Sequence, residues 1–163
     1  MPPGTWDRAD SIYQHTQSAP MCWLLYAVGI SELGIAVSLW NQPALPWILG
    51  AAGAFVCTLA AGFHHLTVTD CGERLRIQFG PLPLFGRWLK YRDVADAEPG
   101  RTTVLDGWGI HMSLRGGWVW NLWGRDCVVV RLHRGVLRIG TDDAEALANV
   151  IQRRAREFAS SGE

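Results

Sequence analysis

The candidates for acid, base or nucleophile in the second half of this chain are Asp106, His111, Asp126, Cys127 and His133. Catalysis needs such groups at a spacing that lets one activate another, as in Gly-x-Ser-x-Gly, His-Glu-x-x-His or a phosphate-binding glycine loop. None of those patterns occurs. His64 and His65 are neighbours, but adjacent side chains in extended chain diverge, so they read as packing at a junction rather than as a metal site or pH sensor. Cys22 and Cys57 fall inside apolar runs, and Cys71 and Cys127 stand alone without a Cys-x-x-Cys spacing, which predicts neither a disulfide nor a zinc site. The expectation is a protein that is not an enzyme, with no cofactor, no metal and no small-molecule substrate. With 15 Lys plus Arg against 15 Asp plus Glu, no charge excess argues for nucleic acid.

The remaining chemically distinctive residue is Glu32, and its setting defines the architecture. Only Glu32 and Asp70 are charged among the 62 residues from 11 to 72. Such a desert is the composition of a membrane segment, and the roughly 100 residues after it suffice for one small domain. Residues 21–40 and 45–63 are two apolar runs, each of a length that reaches the roughly 30 Å of hydrocarbon at about 1.5 Å per residue. A carboxylate at mid-helix costs about 3 kcal/mol to insert, which the surrounding Leu, Ile and Val offset in increments of a few tenths of a kcal/mol. Asn41, Gln42, Pro43 and Ala44 form the tight turn of the hairpin, and Pro46 sits in the next helix's first turn, where its missing N–H is harmless. Trp23, Trp40 and Trp47 mark the interfaces.

Orientation follows from basic residues. The hairpin turn holds none, whereas Arg8, Arg74 and Arg76 flank the spans, so both termini are expected in the cytoplasm. A cleaved signal peptide fits poorly, because no small-residue cleavage pattern follows Trp40. Small residues recur at Ala27, Ser31, Gly34 and Ser38, and at Gly50, Ala54, Thr58 and Gly62, spacings that let helix backbones approach, so these are taken as the hairpin seam. Glu32 lies about 100° round the helix from Ser31, beside Val28, Gly29 and Ala36. Two readings stay open: contact with another protein, a copy of the chain or an ion path, or a protonated carboxyl bonded to a nearby serine or carbonyl. Neither span holds a His to ligate haem or a chlorophyll-type pigment.

From Leu66 the period becomes strand-like. Strands are predicted at 66–70, 73–79, 87–91, 94–98, 109–114, 118–123, 127–134 and 136–140. A C-terminal helix over 143–158 follows, opened by a capping box from Asp142 to Glu145 and lined on one face by Ala144, Leu147, Ile151, Ala155 and Phe158. Arg153, Arg154 and Arg156 suit its negative end. The domain plan is thus an N-terminal cytoplasmic tail at 1–19, a transmembrane helical hairpin at 20–63, and a cytoplasmic β domain at 64–163.

Leu66-Thr-Val-Thr-Asp70, Leu75-Arg-Ile-Gln-Phe-Gly80, Tyr91-Arg-Asp-Val94, Gly107-Trp-Gly-Ile110 and Leu137-Arg-Ile-Gly-Thr-Asp-Asp143 follow one another as in the bacterial pleckstrin-homology-like (PH-like) domains fused to a two-helix membrane hairpin. The chain resembles that family over residues 21–158. The resemblance implies an all-β barrel or sandwich of seven to eight antiparallel strands capped by the C-terminal α-helix, with scaffolding, membrane-proximal interaction and complex assembly as its uses. Pleckstrin-homology domains that bind phosphoinositides carry a Lys on the first strand and Arg-x-Arg on the second. Here Arg74-Leu75-Arg76 is present without that Lys, so Arg74, Arg76, Arg87 and Lys90 are read only as a generic attraction to anionic headgroups.

Candidates for partner contact are Glu32, the run containing Trp118, Trp120 and Trp123, and the rigid apolar loop with Leu82 and Phe85. Trp118 and Trp120 share one side of a strand with Leu122, either as barrel core or as an exposed anchor with Trp88 and Trp108 nearby. The functional expectation is an integral membrane accessory subunit or assembly and scaffold factor. It would dock onto a larger complex (respiratory, photosynthetic, secretory or transport) in the bacterial inner membrane, its partners being the lipid bilayer and other integral membrane subunits or itself. A self-associating lipid- or envelope-sensing module, and a small proton or ion transporter component using Glu32, are the alternatives.

Overall fold

The computed structural model describes residues 13–103 and 107–160. In chain order the elements are β1 (Gln14–Ser18), α1 (Met21–Ser38), α2 (Leu45–Gly62), β2 (His65–Asp70), β3 (Arg74–Gly80), β4 (Gly86–Lys90), a 3-10 turn (Tyr91–Asp93), β5 (Val94–Arg101), β6 (Gly109–Met112), β7 (Trp118–Asn121), β8 (Asp126–Leu132), β9 (Gly135–Gly140) and α3 (Ala144–Ser160). Helices α1 and α2 are long and apolar enough to cross a membrane, and only 17% and 22% of their residues are buried, unlike a soluble core helix.

Two sheets follow, ordered β1-β2-β3-β4 and β5-β8-β9-β7-β6. Alternate residues of the first sheet (Leu66 and Val68; Leu75, Ile77 and Phe79; Leu89) meet Trp120, Val128, Val130, Leu137 and Ile139 of the second, and α3 adds Leu147, Ala148 and Ile151. Every predicted strand is present to within a few residues. The expected seven to eight antiparallel strands become nine among the described residues, and the neighbours β7 and β9 run parallel. The sheets do not close into a barrel.

The added strand lies where a tail was expected. Gln14–Ser18 pairs antiparallel with β2, from Gln14 opposite Thr69 to Ser18 opposite His65, and the Ala19 amide donates to the His64 carbonyl. Hydrophobic alternation is silent in Gln-His-Thr-Gln-Ser, because this strand is fixed by polar groups with a period of two. Tyr13 donates to Asp143, His15 meets Asp142, and Gln17 Nε2 donates to the Trp123 carbonyl. Strand β1 therefore clasps the first sheet to α3 and to the β7–β8 turn. The clasp also revises the predicted capping box: Asp142 is engaged with His15, and the Leu147 amide donates to the Asp143 carbonyl, placing Asp143 at the start of the helix.

A second lock is buried. Asp70 is fully enclosed and accepts from the Gly72 amide at 3.0 Å, the Tyr91 hydroxyl at 2.9 Å and Arg154 Nε at 3.0 Å. Removing one partner of such a buried pair is worth about 3–5 kcal/mol, so Arg154 holds α3 to the sheet rather than serving its dipole. Burial, then the adjacent Asp70 carboxylate, pushes the Tyr91 phenol well above its ordinary range.

The hairpin seam also differs from expectation. Ala27, Ser31, Gly34, Ser38, Ala54 and Thr58 are exposed, Gly50 is half-buried, and Gly62 is covered by the β3–β4 loop instead of α1. The helices meet at Gly29 and Gly53: a Cβ on Gly29 would lie 2.6 Å from Cys57 Sγ, and one on Gly53 would lie 2.7 Å from the Gly29 carbonyl oxygen. Cys22, Ala36 and Ala60 are buried along the same seam. Each helix carries two stripes of small residues, and spacing alone does not say which faces inward. The hydroxyls on the outward stripe bond their own helix, Ser31 to Ala27 O, Ser38 to Gly34 O and Thr58 to Ala54 O, which lets them face an apolar medium. Gly53→Leu should therefore force the helices apart and cost about 1–3 kcal/mol or more. Gly34→Leu, with nothing within 4 Å of its Cβ, should stay within about 0.5 kcal/mol of wild type, as thermal unfolding of the detergent-solubilised full chain would measure.

Candidate functional site

The tryptophan run is split between core and surface. Trp120 is 8% exposed and packs 5.8 Å from Phe79, ring centre to ring centre, while Val119, Asn121 and Leu122 are buried beside it. Trp118 lies on the same face but is 43% exposed, and its cross-strand partner Met112 is 66% exposed. With Leu114 in the adjoining turn, they form an apolar overhang where the inner face of the β6–β7 hairpin outruns the core. Trp123 is half-buried and stacks on Trp108 at 4.6 Å. Trp108 and Asn121 hold the β7–β8 turn: Trp108 Nε1 donates to the Gly124 carbonyl, and so does Asn121 Nδ2, at 3.1 Å.

The basic residues separate in the same way. Arg74 stands opposite Lys90 and Arg76 opposite Trp88 on the outer face of the first sheet, with the Arg76 guanidinium 5.5 Å from the Trp88 ring. Arg87 pairs with the core residue Ile77 and so belongs to the other face. Like charges directly opposite one another on a strand pair repel, which makes Arg74 and Lys90 receptive to an anion without building a pocket for one.

Around the hairpin, Trp40 and Trp47 approach to 5.6 Å beside the helical turn, and Trp23 meets His64 edge-on at 5.9 Å at the other end. All three indoles are exposed, as interface residues need to be. His65 is set against Gly80, and burial, then the neighbouring His64, lowers its pKa. Leu82 and Phe85 are exposed in the β3–β4 loop, together with Leu84 of the same apolar run.

Glu32 is half-buried, three residues after Gly29 and four before Ala36, so it borders the seam the helices actually form. Its Oε2 is enclosed without a hydrogen-bond partner. The bond to a serine or carbonyl that would have explained it is not made by that oxygen.

The acid–base candidates do not converge. Asp126 and Cys127 open β8, with Asp126 paired to Arg101 at 2.9 Å, whereas His133 lies in the turn beyond the far end of that strand. His111 sits on β6, and Asp106 lies outside the described residues. An open groove of about 480 Å³ where α3 begins is lined by Asp126, Asp142, Asp143 and Glu145, and the first three of these carboxylates already have partners in Arg101, His15 and Tyr13. Among the described residues no cluster of three or more His, Cys, Asp or Glu is placed to hold a metal.

No protein-family model and no curated protein matches the chain.

The split between Trp120 and Trp118 is directly measurable in the full chain, which keeps β1 in the first sheet. Trp120→Ala should cost about 3–5 kcal/mol. Trp118→Ala should change stability by about 0.5 kcal/mol or less, read from denaturant unfolding in detergent.

Proposed function

We propose that this chain is a non-catalytic integral membrane subunit that presents a PH-like domain at the cytoplasmic face of the bacterial inner membrane and docks onto a larger membrane protein complex as an accessory, assembly or scaffold factor. Two stacked sheets closed by a C-terminal helix support the PH-like resemblance. The cytoplasmic orientation rests on a helical turn without Lys or Arg and on Arg74 and Arg76 after α2. The partner is another membrane protein, because the domain that carries the exposed apolar surface begins at His65, directly after α2 ends at Gly62, so that this surface stays close to the bilayer.

The observation that carries this reading is the overhang of Met112, Leu114 and Trp118, respectively 66%, 87% and 43% exposed. Exposed apolar side chains gathered on one hairpin, two of them paired across its strands, support a protein contact, and Trp is among the residues enriched at the energetic centre of such contacts. A second reading, a component of a proton or ion path, is favoured by the unpartnered Glu32 Oε2 within the hairpin.

Purification of the tagged full chain in mild detergent should bring down a larger membrane complex. Trp118→Ala combined with Leu114→Asp should weaken that association about 30-fold or more, the equivalent of about 2 kcal/mol at a hot spot, while the unfolding transition stays in place. Recovery of the wild-type chain alone, or only as a homo-oligomer, would contradict the subunit reading. An ion flux in reconstituted vesicles that Glu32→Gln abolishes, with co-purification intact, would decide for the second.

A further inference from the structure

The β3–β4 loop, residues 81–85, lies beside the last turn of α2. Gly62 is the final residue of that helix, and a Cβ there would sit 3.3 Å from Leu84 Cδ1 and 4.0 Å from Phe85 Cε2. Phe63, the next residue, packs on Phe85 at 5.2 Å and on Phe79 at 5.1 Å. The loop thus reaches down to the end of a helix that is long and apolar enough to span, instead of ending with the sheet above it.

Its outward side chains are apolar: Leu82, Leu84 and Phe85 are 42%, 53% and 37% exposed. No charged residue occurs from 77 to 86, and the charges that flank this run are Arg76 before it, across the strand pair from Trp88, and Arg87 after it. The backbone is also suited to a medium poor in water. Pro81 and Pro83 have no N–H to leave unpaired, the Leu84 amide donates to Leu82 O at 2.7 Å, and the Phe79 amide closes the loop on Phe85 O at 2.9 Å. On the other side of the hairpin, Trp23 and His64 mark the same level, the position an amphipathic ring takes among headgroups.

We propose that this loop is a third membrane-contacting element, with Leu82, Leu84 and Phe85 seated at the boundary between headgroups and acyl chains of the bilayer that receives α1 and α2. The inference rests on the reading of α1 and α2 as spans. Its occupant is lipid, because the loop surface is continuous with the lipid-facing surface of α2. Long side chains just beyond the loop, Arg87 directly after it and Arg76 across the strand pair from Trp88, are placed to extend their polar ends toward headgroup phosphates. The domain is then held at the bilayer by three attachments, two covalent and one immersed.

The test uses the full chain in vesicles of phosphatidylcholine and phosphatidylglycerol, in a Cys71→Ser background because Cys71 is the exposed cysteine. An environment-sensitive fluorophore is placed singly by Leu82→Cys, Leu84→Cys, Leu114→Cys and Ile30→Cys. The two loop labels should be blue-shifted, quenched by shallow lipid-borne nitroxides, and several-fold less accessible to aqueous iodide than the label at Leu114. The Ile30 label should respond to deep nitroxides. Iodide accessibility at both loop positions equal to that at Leu114, with the Ile30 label still quenched from within the bilayer, would overturn the proposal alone. An Ile30 label open to iodide and blind to nitroxides would overturn the spanning reading, and the loop proposal with it.

Discussion

Strand pairing between β1 and β2 is the constraint on which the rest depends. The two helices are inserted between these paired strands, so the hairpin is in effect the connection of a two-stranded antiparallel unit. Paired strands lie about 4.8 Å apart, whereas helices with ordinary side chains pack at about 8–10 Å. Residues at the base of the hairpin must therefore be small, as the buried Cys22 and Ala60 are, and further along Gly29 meets Gly53 with backbone almost touching backbone. No linker separates membrane part from soluble part: Ala19 is already hydrogen-bonded to His64 before the first helical turn begins. Sheet orientation and hairpin orientation are consequently one variable.

The same strand closes the domain. Tyr13, His15 and Gln17 point from β1 to α3 and to the β7–β8 turn, so anything that displaced α1 along its axis would act on the polar clasp between the two sheets. Asp70 does the complementary work at the other end of β2, where a single buried carboxylate joins the β2–β3 turn, the 3-10 turn and α3. A rigid support of this kind gives meaning to surface features that would otherwise be isolated. The overhang at Trp118 and the apolar loop at Leu84 are held at set positions relative to the helices, where the proposed protein partner and the proposed lipid contact would meet them.

Much of this was legible in the residues because burial leaves a period. Leu66 and Val68, or Leu75, Ile77 and Phe79, alternate as a half-buried strand must, and Leu147, Ile151, Ala155 and Phe158 mark one face of α3. Three things were not legible, each for a physical reason. Strand β1 is stabilised by hydrogen bonds to residues more than 100 positions away, and its own residues carry no apolar alternation. The seam was ambiguous because both stripes of each helix are rich in small residues, and only the approach of the backbones at Gly29 and Gly53 distinguishes them. The tryptophans share one strand face yet differ in burial, since the core ends between Trp120 and Trp118, and where a core ends depends on the opposing sheet.

The central claim, that domain and hairpin move as one body, is most directly tested by the distance between them in a bilayer. Spin labels at Gln42→Cys in the helical turn and Leu114→Cys on the β6–β7 hairpin, in the full chain reconstituted in nanodiscs, report it by pulsed dipolar spectroscopy. Strand pairing across the base of the hairpin predicts one narrow distance distribution, unchanged by lipid composition. A broad or two-peaked distribution would show that the domain swings on its anchor, and would contradict the account.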